Sequence, residues 1–157
     1  MPAFPVAQLI PVLQTAIGPV ILISGVGMLL LVMTNRLGRA IDRARVLSTR
    51  LESAAGAARE RLLAQLAILY RRAELIRISI TLASVSALCA ALLIIVLFLT
   101  ALLSLEDALL ISALFILCMA CLIGSLIYFI RDIYEALAAL KLELQSNQAL
   151  PSRQSRI

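Results

Sequence analysis

The chain has 157 residues, a formal net charge of +5 and a mean hydropathy of +1.04, and 62% of its residues are hydrophobic. Soluble domains are about 45–50% apolar, so this composition excludes an ordinary soluble fold. The absence of histidine and the presence of only three cysteines exclude Ser-His and Cys-His catalysis, histidine-ligated metals and a four-thiolate metal site.

Three long runs contain no Asp, Glu, Lys or Arg, namely residues 12–33, 78–103 and 108–130. A helix needs about 20 apolar residues to cross a hydrocarbon core of about 30 Å, and each run meets this length. The sequence therefore predicts three transmembrane helices, since a lone strand leaves its backbone groups unpaired in lipid. No charged side chain precedes the first run, so we expect a retained span and not a cleaved signal peptide.

The first span differs from the other two in its polar and helix-perturbing residues. Pro19 predicts a kink, because proline removes a backbone donor, and small residues allow neighbouring helices to approach closely. We favour this packing interpretation, which rests on Gly18, Pro19, Gly25 and Gly27. In the alternative interpretation the polar side chains of this span line a pore, with the candidates Gln14, Thr15, Ser24, Thr34 and Asn35.

Between the first two spans, residues 36–77 hold ten of the fourteen basic residues. Apolar residues recur in steps of four and three in both halves of this segment, which predicts two amphipathic helices. The segment 53–58 breaks the pattern and contains Gly56, so we expect the chain to reverse there. The first and second spans are thus predicted to extend into an antiparallel helical hairpin.

Several arginines form candidate sites for anions or anionic lipids. Arg36, Arg39, Arg43 and Arg50 share one face of the first predicted arm, while Arg77 and Arg131 flank the second and third spans. Basic groups near the membrane surface contact anionic lipid headgroups, and each contributes about 1 kcal/mol of binding free energy. We call the four arginines of the first arm, Arg36, Arg39, Arg43 and Arg50, the ridge. Two alternative interpretations are that the ridge is a specific phosphate site, or that it forms rings of positive charge when several copies gather about one axis.

The third span continues into residues 131–145, where apolar residues again recur at helical spacing and predict a further amphipathic helix. The whole of 1–150 is therefore predicted to be one helical membrane domain, and 146–157 a flexible tail. Serines and cysteines of the second and third spans are interpreted as packing residues. Cys118 and Cys121 match the C-x-x-C spacing, but they lie inside a span, so redox chemistry is not expected.

The distribution of basic residues predicts the orientation. The link 104–107 carries only Glu106 and Asp107, whereas the hairpin and the tail carry all the basic residues. By the positive-inside rule the N-terminus then lies outside and the C-terminus in the cytoplasm, which an odd number of spans requires.

Three sequence blocks carry a family resemblance: residues 17–27, Thr34-Asn-Arg-Leu-Gly-Arg39 and Ile41-Asp-Arg-Ala-Arg45. With them the chain resembles, over roughly residues 10–145, a bacterial family of small three-span membrane proteins known as domain of unknown function 2721. The resemblance implies a multi-pass protein of the bacterial inner membrane, and it implies no activity.

The expected fold is all-α: three transmembrane helices, the first two extended into a cytoplasmic hairpin and the third into a cytoplasmic C-terminal helix. We expect no enzyme, no cofactor, no metal and no nucleic-acid partner. The favoured function is an oligomeric or accessory structural subunit whose basic, coiled-coil-like cytoplasmic bundle docks anionic lipids or another membrane protein. The alternative is a homo-oligomeric, anion-leaning pore lined by the first span and by Arg36, Arg39 and Arg43.

Overall fold

The protein folds into three long helices in a computed structural model that describes the backbone of residues 6–103 and 108–149 and the side chains of residues 10–11, 13–103 and 108–137. The helices are α1 (Val6–Ser53), α2 (Ala57–Leu103) and α3 (Ala108–Ala149). Each is long and apolar enough to cross a membrane. The predicted all-α fold with three spanning helices is therefore confirmed.

Helices α1 and α2 run without interruption from their apolar runs into the arginine-rich segment and form a hairpin there. The reversal lies at Ala54–Gly56, inside the segment predicted to turn. Gly56 has a φ of 57°, a left-handed conformation that glycine adopts without a steric penalty. Its carbonyl then accepts a 3.1 Å hydrogen bond from the Arg59 amide, which starts α2.

Helix α2 packs against both of its neighbours and supplies most of the buried residues among the described side chains. Its buried positions follow helical spacing along the middle half of the helix: Leu69, Ile76, Ser79, Ala83, Ser86, Cys89, Ala90 and Leu93. Five of the eight are small, which lets the helices approach closely at those positions.

The outer surface of the apolar segments of α2 and α3 is mostly aliphatic, as expected of helices that face lipid. On α2 it includes Val85, Leu88, Leu92, Ile95 and Leu99, and on α3 it includes Leu109, Ile116, Ile123, Ile127 and Ile130.

Helix α3 continues directly past residue 130 and reaches Ala149. The predicted C-terminal helix over 131–145 falls inside this element. Of the predicted tail 146–157, residues 146–149 belong to α3, and residues 150–157 lie outside the part that the structure describes, as does the link 104–107.

Candidate functional site

A fully buried carboxylate, Asp132, holds arginines from the other two helices. Its Oδ2 lies 2.9 Å from Nη2 of Arg36 on α1, and its Oδ1 accepts a 3.3 Å hydrogen bond from Nε of Arg72 on α2. The exposed fractions of the two arginine side chains are 23% and 22%, against 0% for the aspartate. These three residues, which we call the Asp132 node, tie all three helices together beside the arginine-rich end of the apolar spans.

The two carboxylate oxygens of Asp132 make different kinds of contact with the two arginines. Arg72 donates an aligned hydrogen bond, whereas Oδ2 receives no hydrogen bond of acceptable angle despite its 2.9 Å distance to Arg36. The Arg36 contact is therefore chiefly an ion pair. The guanidinium of Arg36 also lies 5.2 Å from the centroid of the Phe129 ring, a distance typical of a cation–π interaction. The three residues of the node together carry a formal net charge of +1.

Two further layers of polar contacts continue the α2–α3 interface into the apolar segments. Ser79 and Ser125 exchange hydroxyl-to-carbonyl hydrogen bonds of 2.7 and 2.8 Å. Ser86 donates to the Cys118 carbonyl at 2.9 Å, and the Cys118 thiol donates back to the Ser86 carbonyl at 3.2 Å. Every one of these four side chains is buried.

The layers are regularly spaced because α2 and α3 are antiparallel. Arg72 precedes Ser79 by seven residues on α2, and Asp132 follows Ser125 by seven residues on α3. Seven residues are about two helical turns, so partners at this spacing return to the same face. The Asp132 node is therefore the outermost layer of one continuous polar seam.

Only two more ion pairs are fully placed among the described side chains, and both are on the surface. Arg71 lies 3.5 Å from Glu135, and Arg77 lies 3.4 Å from Glu74, with the two arginine side chains 72% and 70% exposed. Exposed pairs of this kind contribute little to stability.

The predicted arginine sites are separated by the fold. Arg36 is drawn into the Asp132 node, and Arg77 pairs with Glu74 at the surface. The remaining predicted residues, Arg39, Arg43, Arg50 and Arg131, are exposed. The predicted ridge is thus divided, because Asp132 and Phe129 hold its first member against α3.

The predicted pore and packing residues lie mostly on the outside of the chain. Gln14, Thr15, Ser24, Thr34 and Asn35 are all exposed. A Cβ atom added to Gly18, Gly25 or Gly27 would meet no atom within 4 Å, so these glycines are not needed for packing within one chain. Pro19 is partly buried, and with Gly18 it borders a cavity of about 250 Å³ beside Phe115 and Met119.

An open apolar groove lies between the two arms of the hairpin and has a volume of about 760 Å³. No described residue of α3 lines it. We call it the hairpin groove, and its walls are Ala40, Ile41, Ala44, Arg45 and Ser48 from α1 and Leu63, Leu66, Ala67, Leu69, Tyr70 and Ala73 from α2.

Sequence reasoning missed Asp132, although a signal was available. Asp132, Ser125 and Cys118 follow one another at seven-residue intervals on α3, as Arg72, Ser79 and Ser86 do on α2. When the two series are aligned in antiparallel directions, Asp132 faces Arg72, just as Ser125 faces Ser79 and Cys118 faces Ser86. Asp132 directly follows Arg131 in the stretch predicted to be an amphipathic helix, and helical spacing within α3 alone does not mark it as buried.

The sequence model of one family matches residues 16–142, and its description is Protein of unknown function (DUF2721). The match includes all three residues of the Asp132 node and the whole hairpin groove. No curated protein and no solved structure matches the chain.

Proposed function

Because the chain belongs to the family of proteins of unknown function DUF2721, whose description names no activity, we propose its function from the geometry of the Asp132 node and the hairpin groove. The protein is a non-enzymatic structural subunit of the bacterial cytoplasmic membrane. Its arginine-rich hairpin lies on the cytoplasmic side, and it docks protein partners, including further copies of itself.

The hairpin groove is the observation that carries this proposal. Its wall residues Ile41, Leu63 and Tyr70 are 46%, 40% and 73% exposed. The surrounding segment 36–77 holds ten arginines, which keep it out of the hydrocarbon region. Lipid tails cannot cover an apolar groove at that level, and an exposed apolar patch in water marks a protein interaction site.

The Asp132 node supports the proposal by fixing the base of the hairpin. Since it joins all three helices, the hairpin arms leave the membrane in a defined direction and form a rigid docking surface. A preorganised surface loses less conformational entropy on binding than a flexible one.

The exposed arginines support a second contact, with anionic lipid headgroups. Arg39 and Arg131 lie on the surface near the ends of the spans, and the positive-inside rule puts them on the cytoplasmic leaflet. Each basic group near such a leaflet contributes about 1 kcal/mol. These contacts orient the hairpin above the membrane.

The pore alternative has weaker geometric support. At 3.6 residues per turn, Thr15 and Ser24 lie on opposite sides of α1, so one channel axis does not meet all five predicted lining residues. The hydroxyls of Thr15 and Thr34 also donate to their own helix, at 2.9 Å to Pro11 and 2.7 Å to Leu30.

The test compares two tyrosines of nearly equal exposure, Tyr70 in the hairpin groove at 73% and Tyr134 on α3 at 71%. We expect the wild-type chain to purify in mild detergent with a protein partner or as an oligomer. Tyr70→Arg should lose the partner or copy that is bound in the hairpin groove, so that the mass of the complex falls, while Tyr134→Arg leaves the mass unchanged. Equal behaviour of the two variants contradicts the assignment of the groove as the docking surface.

A further inference from the structure

We propose that two copies of the chain associate in parallel through one outward face of α1. This inference rests on the proposed structural role and names the partner as a second copy of this chain. The face, which we call the outer stripe, consists of Ile17, Ile21, Ser24, Met28, Leu31, Asn35, Gly38, Asp42, Arg45 and Thr49.

The outer stripe has the spacing of a coiled-coil seam. Its residues alternate in steps of four and three from the span into the hairpin arm, and all ten are exposed in the single chain. Copies of one protein in the same membrane share their orientation, so a symmetric pair along this stripe must be parallel. Each layer of the stripe then meets the same layer of the other copy.

The outer stripe differs from the lipid-facing surfaces of α2 and α3 in its polar groups. Those surfaces are mostly Val, Leu and Ile, and their exposed polar residues are the hydroxyl residues Thr81, Ser84 and Ser112, whereas the stripe also carries the amide of Asn35. Exposed threonines in the spans, such as Thr81, satisfy their hydroxyl donors by bonding their own helix. Within the described part of the chain no such bond occurs for Asn35, whose amide carries two donor hydrogens and an acceptor oxygen.

Pairing of two copies supplies the missing partners of Asn35. An asparagine at the seam of a parallel two-stranded coiled coil bonds the same residue of the other strand and fixes the register. In membranes, one interhelical polar contact contributes about 0.6 kcal/mol on average. Gly38, in the next layer, leaves open space around its Cα and permits the close approach that this bond needs.

Charge complementarity gives the outer stripe a second, independent reason to self-associate. Among the side chains that the structure describes, neither Asp42 nor Arg45 has an ion-pair partner within the chain. The two residues occupy adjacent layers of the stripe. In a parallel pair, Arg45 of each copy reaches Asp42 of the other, which forms two equivalent ion pairs across the symmetry axis.

Cysteine cross-linking in native membranes tests this inference. Leu31 on the outer stripe, Leu88 on α2 and Ile116 on α3 are 64%, 60% and 66% exposed, and therefore provide matched positions. We expect oxidation to link Leu31→Cys into a covalent dimer, while Leu88→Cys, Ile116→Cys and the unaltered chain stay mostly uncross-linked. Cross-linking that is equal at the three positions, or absent at Leu31→Cys, overturns the inference.

A charge exchange provides a second readout on the folded protein. Asp42→Arg should reduce cross-linking at Leu31→Cys at least fivefold, and the additional change Arg45→Asp should restore it. Failure of the second change to restore cross-linking rejects the pairing of Asp42 with Arg45.

The outcomes separate this inference from the proposed function. A chain that purifies as a complex without cross-linking through the outer stripe refutes the inference alone. A chain that purifies as a monomer without any partner refutes both.

Discussion

Ser79 on α2 and Ser125 on α3 each donate a hydroxyl hydrogen bond to the other's backbone carbonyl, at 2.7 and 2.8 Å. The hydroxyl of Ser79 also lies 3.4 Å from the sulfur of Met33 on α1, so this layer, like the Asp132 node, contacts all three helices. In lipid there is no hydrophobic driving force between helices, and small polar contacts of this type determine their register. The seam therefore positions both the node and the hairpin beyond it.

Removing the buried carboxylate should strongly destabilise the protein. We expect Asp132→Asn to lower the free energy of unfolding by about 3 kcal/mol, because breaking a buried ion pair costs roughly 3–5 kcal/mol and the two arginines are partly hydrated. Glu135→Gln, which removes the exposed pair with Arg71, is the control and should cost less than about 1 kcal/mol. Denaturant unfolding in detergent micelles measures both, and equal losses contradict the role of the Asp132 node.

Deleting one hydroxyl of the seam should have a smaller but detectable effect. Ser79→Ala removes the hydroxyl hydrogen bond to the Ser125 carbonyl on α3, and we expect a loss of about 1 kcal/mol, within the range for polar contacts in membranes. Thr81→Ala removes a hydroxyl that bonds only its own helix, at the Arg77 carbonyl, and should be nearly neutral. Thermal unfolding in one detergent compares the two variants, and a larger loss in Thr81→Ala contradicts the assignment.

The hairpin turn should depend on its glycine. Gly56→Ala places a Cβ at a φ of 57°, and we expect a destabilisation of about 1–2 kcal/mol. Gly27→Ala is the matched control, because Gly27 lies inside α1 with open space around it, and alanine there should stabilise the helix by up to about 1 kcal/mol. Circular dichroism during heating reports both changes, and a neutral Gly56→Ala speaks against the observed turn.

Fold and site differ in how far the sequence could predict them. The three helices could be predicted from apolar runs of spanning length and from amphipathic spacing, and the turn at Gly56 from the break in that spacing. All of these features follow from local composition. The Asp132 node was not predicted, because it depends on the relative register of α2 and α3. The seven-residue spacing of Arg72, Ser79 and Ser86 becomes informative only when it is aligned with the reverse series on α3.

Arg36 illustrates the same limit. Helical spacing grouped it with Arg39 and Arg43 as one ridge, since spacing reports only the face of an isolated helix. A carboxylate on another helix redirects Arg36, and no periodicity within α1 encodes that contact.

Ion flux should be absent. We expect proteoliposomes of the purified protein to conduct chloride no faster than empty liposomes, and Arg39→Glu to leave this unchanged, because the predicted lining residues point in different directions around α1. A chloride current that Arg39→Glu abolishes or converts to cation preference would restore the pore interpretation.

The mass of the complex extracted in mild detergent tests the proposed docking function most directly. One chain has a mass of 17.0 kDa. We predict that the protein mass of the extracted complex equals at least two chains, or one chain with a bound partner. This mass should fall when Tyr70→Arg disrupts the hairpin groove. A single unaccompanied chain, for the wild type and for Tyr70→Arg alike, would contradict the proposal.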